Sequence, residues 1–108
     1  MKFGLPDSTI EKINSVFARH PEIDKVLIYG SRAKGNYREG SDIDITLKGD
    51  NLTENLRSDI FHEIDNLNTP YLFDISVFEQ LHSEDLIAHI NRVGQVFYAK
   101  EKQTGIGF

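Results

Sequence analysis

The sequence predicts an α+β fold in which one small mixed β-sheet carries helices packed mainly on one face. Two kinds of segment alternate along the chain: apolar residues with helical spacing, and short runs rich in β-branched and aromatic residues. Their order is helix, strand, strand, helix, strand, helix. The loop between the first two strands is too short for a helical crossover of usual size, so we expect these strands to be antiparallel.

Size and composition narrow the class of protein. The chain has 108 residues, a net charge of -5 and no cysteine. We expect residues 1–99 to form a single domain with its own core, and residues 100–108 to form a loose C-terminal tail. No apolar stretch is long enough to span a bilayer, and the lack of cysteine favours a cytoplasmic location. The acidic balance weighs against broad nucleic-acid binding, which depends on Lys and Arg neutralising phosphates.

A first helix should begin near residue 8. Ser8 and Glu11 fit a capping box, in which Ser8 is the N-cap and Glu11 occupies the third helical position. The apolar residues that follow share one face, so the helix should continue to about Arg19 or His20. Pro21 ends it, because the residue before a proline disfavours helical geometry.

The remaining elements follow from apolar runs and from the residues that break them. Thr53 and Ser83 are placed to cap two further helices. Gly94 lies where the C-terminal cap of the last helix belongs. In order, we predict strands at residues 24–29 and 43–48, a helix at 53–67, a strand at 71–78, a helix at 83–94 and a short edge strand at 96–99.

Asp42 and Asp44 lie on either side of Ile43 at the start of the second strand. Because strand side chains alternate in direction, both carboxylates should point to one face, with Cα atoms roughly 6.6 Å apart. Magnesium suits such a pair, since it prefers oxygen ligands and commonly binds one or two carboxylates together with substrate phosphates. The simpler interpretation is a solvated strand face, but Asp is disfavoured in strands and two on one face repel each other without a cation.

Asp74 lies in the middle of the third strand, between Phe73 and Ile75. These two apolar residues should face the core, so Asp74 should face the other side. If this strand pairs with the second, Asp74 lies about 4.8 Å from the row formed by Asp42 and Asp44. Three carboxylates on one open face would form a divalent-metal site, whereas Asp74 by itself would be interpreted as an ordinary exposed residue.

The first strand ends at Gly30-Ser31, and a basic loop follows. Glycine lets a backbone approach a ligand closely, and amides at the start of a helical turn would point at a phosphate. The hydroxyl of Ser31 adds a further donor. Positive charge in this loop could steer or neutralise a triphosphate, and it comes from Arg32, Lys34 and Arg38. Taken singly, the dipeptide more often marks a plain turn, and each cation is more often a surface charge.

Histidines and tyrosines add no further site. The histidines lack the spacing of zinc ligands and are interpreted as surface residues; they are His20, His62, His82 and His89. The tyrosines are interpreted as packing or rim residues rather than catalytic ones; they are Tyr29, Tyr37, Tyr71 and Tyr98.

Together the glycine, serine and aspartates form a specific composite motif. Gly30-Ser31, ten further residues, Asp42-x-Asp44 and a later strand aspartate at position 74 resemble the pattern of the polymerase-beta-like nucleotidyltransferase superfamily. The fuller runs GSRAKG and SDID resemble its smallest branch, the minimal nucleotidyltransferase (MNT) domains, and the resemblance covers nearly the whole chain. Lys34 stands where many relatives carry Arg, which keeps the charge but loses the planar fork.

The resemblance implies a nucleotidyltransferase fold and an enzyme that moves AMP from ATP to a hydroxyl with release of pyrophosphate. By the same resemblance, Asp42, Asp44 and Asp74 hold two magnesium ions, and Asp74 helps to deprotonate the acceptor. Gly30 and Ser31 would hold the terminal phosphates.

The resemblance also implies a partner. MNT domains of this type are similar to antitoxins that work with a separate HEPN-domain ribonuclease toxin, in which the MNT enzyme adenylylates a tyrosine. Larger relatives carry an additional domain for the acceptor, and this length leaves no room for one, so we expect a partner protein, in a hetero-oligomer or beside a homo-oligomer.

Several alternatives stay open. The chain could be a non-catalytic subunit that neutralises a toxin or senses nucleotide. It could transfer nucleotide to a small molecule such as an aminoglycoside, or to RNA, which the acidic charge disfavours. It could also be a purely structural domain, which would leave three strand aspartates on one face without a reason.

Overall fold

The computed structural model describes residues 1–100, and its helices and strands follow the predicted order. The elements are α1 (Asp7–Ala18), β1 (Ile23–Tyr29), α2 (Gly30–Lys34), β2 (Ile43–Gly49), α3 (Glu54–Asp65), β3 (Phe73–Val77), a 3₁₀ turn (Phe78–Gln80), α4 (Glu84–Val93) and β4 (Gln95–Ala99). The strands form one sheet in the order β3-β2-β1-β4. The predicted α+β fold with a small mixed sheet is therefore confirmed.

The sheet combines antiparallel and parallel pairing. β1 and β2 are antiparallel, as their short connection predicts, with Ile28 opposite Ile45. β2 and β3 are parallel, and α3 makes the crossover between them. β4 pairs antiparallel with the other side of β1 and forms one edge of the sheet, while β3 forms the other edge.

One face of the sheet forms the hydrophobic core with α1 and α3. Alternate side chains of β2 are fully buried on this face, namely Ile43, Ile45 and Leu47. Phe17 of α1 and Ile60 of α3 pack in the same cluster. Because side chains alternate along a strand, Asp44 is left on the opposite face.

The helix α4 lies on that opposite face. It packs against β1 and α2, and the ring of His89 meets the ring of Tyr29 edge-on, with centroids 6.1 Å apart. Tyr29 pairs with Asp44 across the two central strands. The two longest helices, α1 and α3, thus cover one face of the sheet, and α4 lies on the other face, which carries Asp44.

The first helix begins before the predicted cap. It starts at Asp7 after Pro6, whose φ of -60° and ψ of 148° are extended. The carbonyl of Pro6 accepts hydrogen bonds from the amides of Thr9 and Ile10 at 3.0 and 3.1 Å. Ser8 lies exposed within the first turn, so the predicted capping box is wrong. Proline fixes φ in a range compatible with helix entry, and this local restraint decides where the helix starts.

The other two predicted N-caps are confirmed. The hydroxyl of Thr53 accepts a hydrogen bond from the amide of Leu56 at 3.1 Å. The hydroxyl of Ser83 accepts one from the amide of Leu86 at 3.2 Å. Each cap satisfies one of the amides that the first turn of a helix leaves without an internal acceptor.

Gly94 ends α4 for a different reason from the one its residue type suggests. Its φ is -62°, outside the left-handed region that usually favours glycine after a helix. Its amide donates to the carbonyl of Ile90 at 2.7 Å, and a Cβ at position 94 would lie 2.4 Å from that oxygen. Close approach to the last turn therefore requires glycine here.

Some boundaries differ from the prediction. The basic loop after the first strand begins as the five-residue α2, and the third strand is shorter at both ends than residues 71–78. Of the predicted tail, residues 101–108 lie outside the described residues, and the amide of Lys100 donates to the carbonyl of Asp24 at 2.9 Å. Among residues 1–100, no helix combines the length and apolar character that crossing a membrane requires.

Replacing Thr53 by alanine should lower the free energy of unfolding by about 1 kcal/mol, because the amide of Leu56 loses its acceptor. Ser8→Ala is the matched comparison and should change that free energy by less than about 0.5 kcal/mol, because Ser8 is exposed and does not cap α1. Urea unfolding measures both values. An equal loss of unfolding free energy in Thr53→Ala and Ser8→Ala would instead indicate that Ser8 does cap α1.

Candidate active site

The parallel register of β2 and β3 brings two predicted site residues together. Asp44 is the Cα partner of Asp74, and Ile45 is the partner of Ile75. Neighbouring strands lie about 4.8 Å apart, and paired residues point to the same face. Because Ile45 and Ile75 are buried in the core, the two aspartates lie side by side on the opposite face.

Asp42 precedes β2 and adds its charge to this region. Asp42 is exposed, whereas Asp44 is partly buried. Burial raises the pKa of Asp44 above its ordinary value, the carboxylates of Asp74 and Asp42 raise it further, and His89 acts in the opposite direction. The negative charge of Asp44 is thus disfavoured in the folded chain, and a cation beside it would be stabilising.

These carboxylates offer the right ligand chemistry for a hard divalent cation. Magnesium prefers oxygen ligands, and charge compensation would relieve the repulsion that Asp44 experiences. Within the described part of the chain, however, no three His, Cys, Asp or Glu side chains form a group that could already hold a metal ion. The donor set fits magnesium in its chemistry, but it is not arranged as a preformed coordination shell.

Gly30 ends the first strand beside Asp44. Its φ of 74° lies in the left-handed region, and a Cβ at this position would lie 2.6 Å from Oδ2 of Asp44. Both the backbone conformation and the close approach require glycine. At the bend between β1 and α2, the backbone of Gly30 therefore lies in close contact with the carboxylate of Asp44, and Ser31 is the next residue.

His89 borders this site, although sequence patterns did not predict it. Its Nε2 accepts a hydrogen bond from the amide of Gly30 at 3.3 Å, and the residue is partly buried. The interpretation of His89 as a surface residue is therefore wrong. His20 is also covered, since its Nε2 lies 2.9 Å from a carboxylate oxygen of Glu63 and 17% of its side chain is exposed. Neither contact follows from residue spacing, because packing between distant elements creates both.

Tyr29 lies on the same face, as the strand partner of Asp44. Burial raises the pKa of its hydroxyl, the nearby side chain of Ser76 lowers it, and the negative charges of Asp74 and Asp44 raise it again. The net result is a raised pKa, so the phenol stays neutral and keeps its proton beside the carboxylates.

Arg57 of α3 is a second neighbour that sequence patterns did not predict. Its Nη1 donates to the carbonyl of Ile75 at 3.2 Å, and its Nη2 donates to Oε1 of Glu54 at 2.7 Å. The hydrogen bond with Glu54 is the main reason why the pKa of Arg57 is raised, and the charge of Asp74 contributes as well. A fixed positive charge therefore lies near Asp74 at the outer edge of the sheet.

The three predicted nucleotide-binding cations have different environments. Arg32 is only 3% exposed, and its guanidinium donates to the backbone carbonyls of Phe3 and Ser41. It does not present the exposed charge that the sequence led us to expect, because its donors are turned inward to these carbonyls. Lys34 and Arg38 are exposed, and their contact with phosphates stays a prediction.

Two surface cavities leave the paired carboxylates Asp44 and Asp74 outside their linings. The larger, of about 430 Å³, is bounded by residues 1–4, α2, Tyr37 and the start of β4. The other, of about 290 Å³, is lined by Asp42, by Phe61 and Asp65 of α3, and by residues 71–73. Neither is lined by Asp44 or Asp74, which lie on the sheet face beside α4.

Similarity to known proteins agrees with this geometry. The family model described as Polymerase beta, Nucleotidyltransferase matches residues 11–103. No curated protein matches the chain.

Three solved structures share the fold. A chain of a toxin–antitoxin complex with AMP-PNP is 18% identical, with a TM-score of 0.68 over 90% of this chain and 76% of that chain. A chain from the complex of tri-AMPylated Shewanella oneidensis HEPN toxin with MNT antitoxin is 16% identical, with a TM-score of 0.63 over 86% and 71%. A candidate nucleotidyltransferase from Sulfolobus solfataricus is 22% identical, with a TM-score of 0.54 over 92% and 94%.

Asp44→Asn should stabilise the folded chain at neutral pH. Folding raises the pKa of Asp44, so the stability that its neutral form contributes is present below the unfolded pKa and is lost as the pH rises through the folded pKa. An amide does not ionise, so the gain over the wild type should appear as the pH rises above about 4 and vanish below it. Thermal unfolding across this range measures the difference.

The matched control for this measurement is Asp59→Asn, at an exposed position of α3. It removes one carboxylate without touching the face that carries Asp44. If Asp44→Asn and Asp59→Asn gave the same pH dependence, the raised pKa assigned to Asp44 would be contradicted.

Proposed function

Because the chain belongs to the polymerase beta nucleotidyltransferase family, we propose that it transfers AMP from ATP to a hydroxyl group and releases pyrophosphate. The observation that carries the proposal is the pairing of Asp44 with Asp74 on one sheet face, against the backbone bend at Gly30. Paired carboxylates beside a close backbone approach suit a triphosphate accompanied by divalent cations.

The carboxylates are proposed to hold two magnesium ions, with Asp42, Asp44 and Asp74 as ligands. When bound, the ions would stabilise the charge on the attacking and leaving oxygens. The raised pKa of Asp44 supports this assignment, because the unfavourable charge at that position is what a cation would relieve.

Asp74 is proposed to accept the proton of the acceptor. The acceptor oxygen forms a bond to the α-phosphorus of ATP as the bond from that phosphorus to the bridging oxygen breaks, and pyrophosphate leaves with the bonding electrons. The hydroxyl proton passes to the carboxylate of Asp74, which is exposed on an edge strand where an acceptor can approach it.

The phosphates are proposed to bind along the bend after β1. Gly30 and Ser31 supply backbone amides and a hydroxyl, and the exposed cations Lys34 and Arg38 supply positive charge. The amide of Gly30 donates to Nε2 of His89. A phosphate oxygen that binds this amide would therefore replace His89 as its acceptor.

The acceptor is proposed to be a tyrosine of a HEPN-domain toxin. Among the structures that share this fold, one contains a tri-AMPylated HEPN toxin with an MNT antitoxin, and another contains AMP-PNP in a toxin–antitoxin complex. The geometry of this chain supports a macromolecular acceptor, because Asp74 is exposed and lines neither of the two cavities described above. A folded partner could present its hydroxyl there without entering a pocket.

A second candidate function is neutralisation of a toxin by binding alone. One observation favours it: among residues 1–100, the potential ligand side chains are not grouped to hold a metal ion. Under this alternative, a double variant with Asp42→Ala and Asp44→Ala would still restore growth to cells that express the toxin. Under the catalytic proposal it would not.

Incubation with magnesium and ATP labelled at the α-phosphate should transfer label to a HEPN-domain protein encoded beside this chain. Asp44→Asn should lower the rate on the order of 100-fold or more, because it removes a proposed ligand of the magnesium ions that would compensate the charge of the transition state. Asp59→Asn, which leaves this face intact, should retain the wild-type rate. Mass spectrometry of the partner measures the added AMP and identifies the modified residue.

The same reaction run with an aminoglycoside or with RNA in place of the protein separates the alternative acceptors. Label on a small molecule and not on the protein would show that the acceptor is the small molecule and not the proposed tyrosine. No labelled product with any acceptor, or equal rates for the wild type and Asp44→Asn, would contradict nucleotidyl transfer at these residues.

A further inference from the structure

Arg32 is a buried cation with an unusual set of partners. It is 3% exposed, and among residues 1–100 no carboxylate lies within ion-pair distance of its guanidinium. Buried charges are ordinarily paired with opposite charges, since removing a charge from water is costly. A position that keeps an arginine under these conditions needs a structural reason.

The hydrogen bonds of Arg32 join three separate segments. Nε and Nη2 donate to the carbonyl of Ser41 at 3.1 and 2.8 Å, and Nη1 donates to the carbonyl of Phe3 at 2.8 Å. Arg32 itself belongs to α2, Phe3 to the N-terminal segment, and Ser41 to the loop before β2. Ser41 directly precedes Asp42. The guanidinium therefore binds the carbonyl of the peptide unit next to a proposed metal ligand.

Two aromatic rings lie next to the guanidinium. Its central carbon lies 5.3 Å from the ring centroid of Tyr37 and 5.2 Å from that of Tyr71, which is the range of cation–π contacts. Tyr37 lies in the loop that contains Ser41, and Tyr71 lies just before β3, the strand of Asp74. The ring of Tyr37 also lies against Gly4, where a Cβ would lie 2.4 Å from it.

We propose that Arg32 is a positioning residue for the site: it fixes the Ser41 carbonyl and the approach to β3, and thereby holds Asp42 in place relative to Asp44 and Asp74. The arginine, its two carbonyl acceptors and its two tyrosine rings form the Arg32 clamp. The effect of the clamp on catalysis rests on the proposed function. Its effect on the loop does not.

The geometry of the clamp requires arginine rather than any cation. A planar guanidinium can donate two parallel hydrogen bonds to one side while stacking its faces against aromatic rings, and an ammonium group cannot. Arg32→Lys therefore keeps the charge and most of the length but loses the fork to Ser41. It tests the clamp with less disturbance of folding than Arg32→Gln.

Hydrogen exchange of single amides tests the clamp without any enzymatic assay. The informative amides are those of Arg38, which donates to the Ser41 hydroxyl, and of Ser41, which donates to the Arg38 carbonyl. Arg32→Lys should accelerate their exchange roughly tenfold or more, as expected when hydrogen bonds to a charged group are lost. The core amides of β2 should keep their protection, and Arg92→Gln, at an exposed position of α4, is the matched control.

Two results would overturn the clamp. If exchange at Arg38 and Ser41 in Arg32→Lys equalled that in Arg92→Gln, the arginine would not hold the loop. If exchange rose equally throughout β2 and the loop, Arg32 would stabilise the whole fold and would not position one segment. Tyr37→Leu, which removes one of the two rings of the clamp, should give a smaller change at the same loop amides, and a change in the core amides of β2 would also contradict the proposal.

Kinetics then tests whether the loop position matters for the site. Arg32→Lys should lower the rate of AMP transfer about 10- to 100-fold, as changes behind metal ligands typically do. It should also raise the magnesium concentration needed for half-maximal rate, so that excess magnesium restores part of the activity. Excess magnesium should not restore Asp44→Asn.

The two measurements separate the proposals. If the wild-type chain transfers no AMP, the proposed function is contradicted. The hydrogen-exchange experiment still tests whether Arg32 holds the loop. An active wild type whose rate and magnesium requirement are unchanged by Arg32→Lys would end the positioning role.

Discussion

The structure depends on the parallel pairing of β2 with β3, which holds Asp44 and Asp74 side by side although like charges on paired strand residues repel. The pairing is enforced from the other face of the sheet, where Ile45 and Ile75 are buried. A slip of one residue would turn the apolar side chains to solvent and the carboxylates to the core. Burial of the core face thus maintains the repulsion, which adds to the effect of desolvation in raising the pKa of Asp44.

The surroundings of these carboxylates follow from that arrangement. Gly30 must lack a side chain because Asp44 occupies the space that a Cβ would take. His89 from α4 and Arg57 from α3 bring an imidazole and a guanidinium to the neighbourhood. Phosphoryl chemistry depends chiefly on positioning and charge compensation. A sheet that fixes the carboxylates and leaves Asp74 exposed is suited to it.

Much of the fold could be predicted because its signals are local. Helical and strand periodicity, the caps at Thr53 and Ser83, and the short connection between β1 and β2 all act over a few residues. The failed cap at Ser8 is instructive, since Pro6 starts the helix earlier through another local restraint. The family resemblance was also local in origin, because the glycine, the serine and two of the aspartates lie within one short stretch.

The sequence by itself determined the order of the elements, the family and the residue types at positions 30, 31, 42, 44 and 74. Only the tertiary structure decided that Asp74 pairs with Asp44, that Arg32 is buried while Lys34 is exposed, and that His89 and Arg57 border the site. The reason is physical: periodicity and propensity act between near neighbours in the chain. Strand register, burial of a charge and the docking of α4 depend on how distant segments share one core.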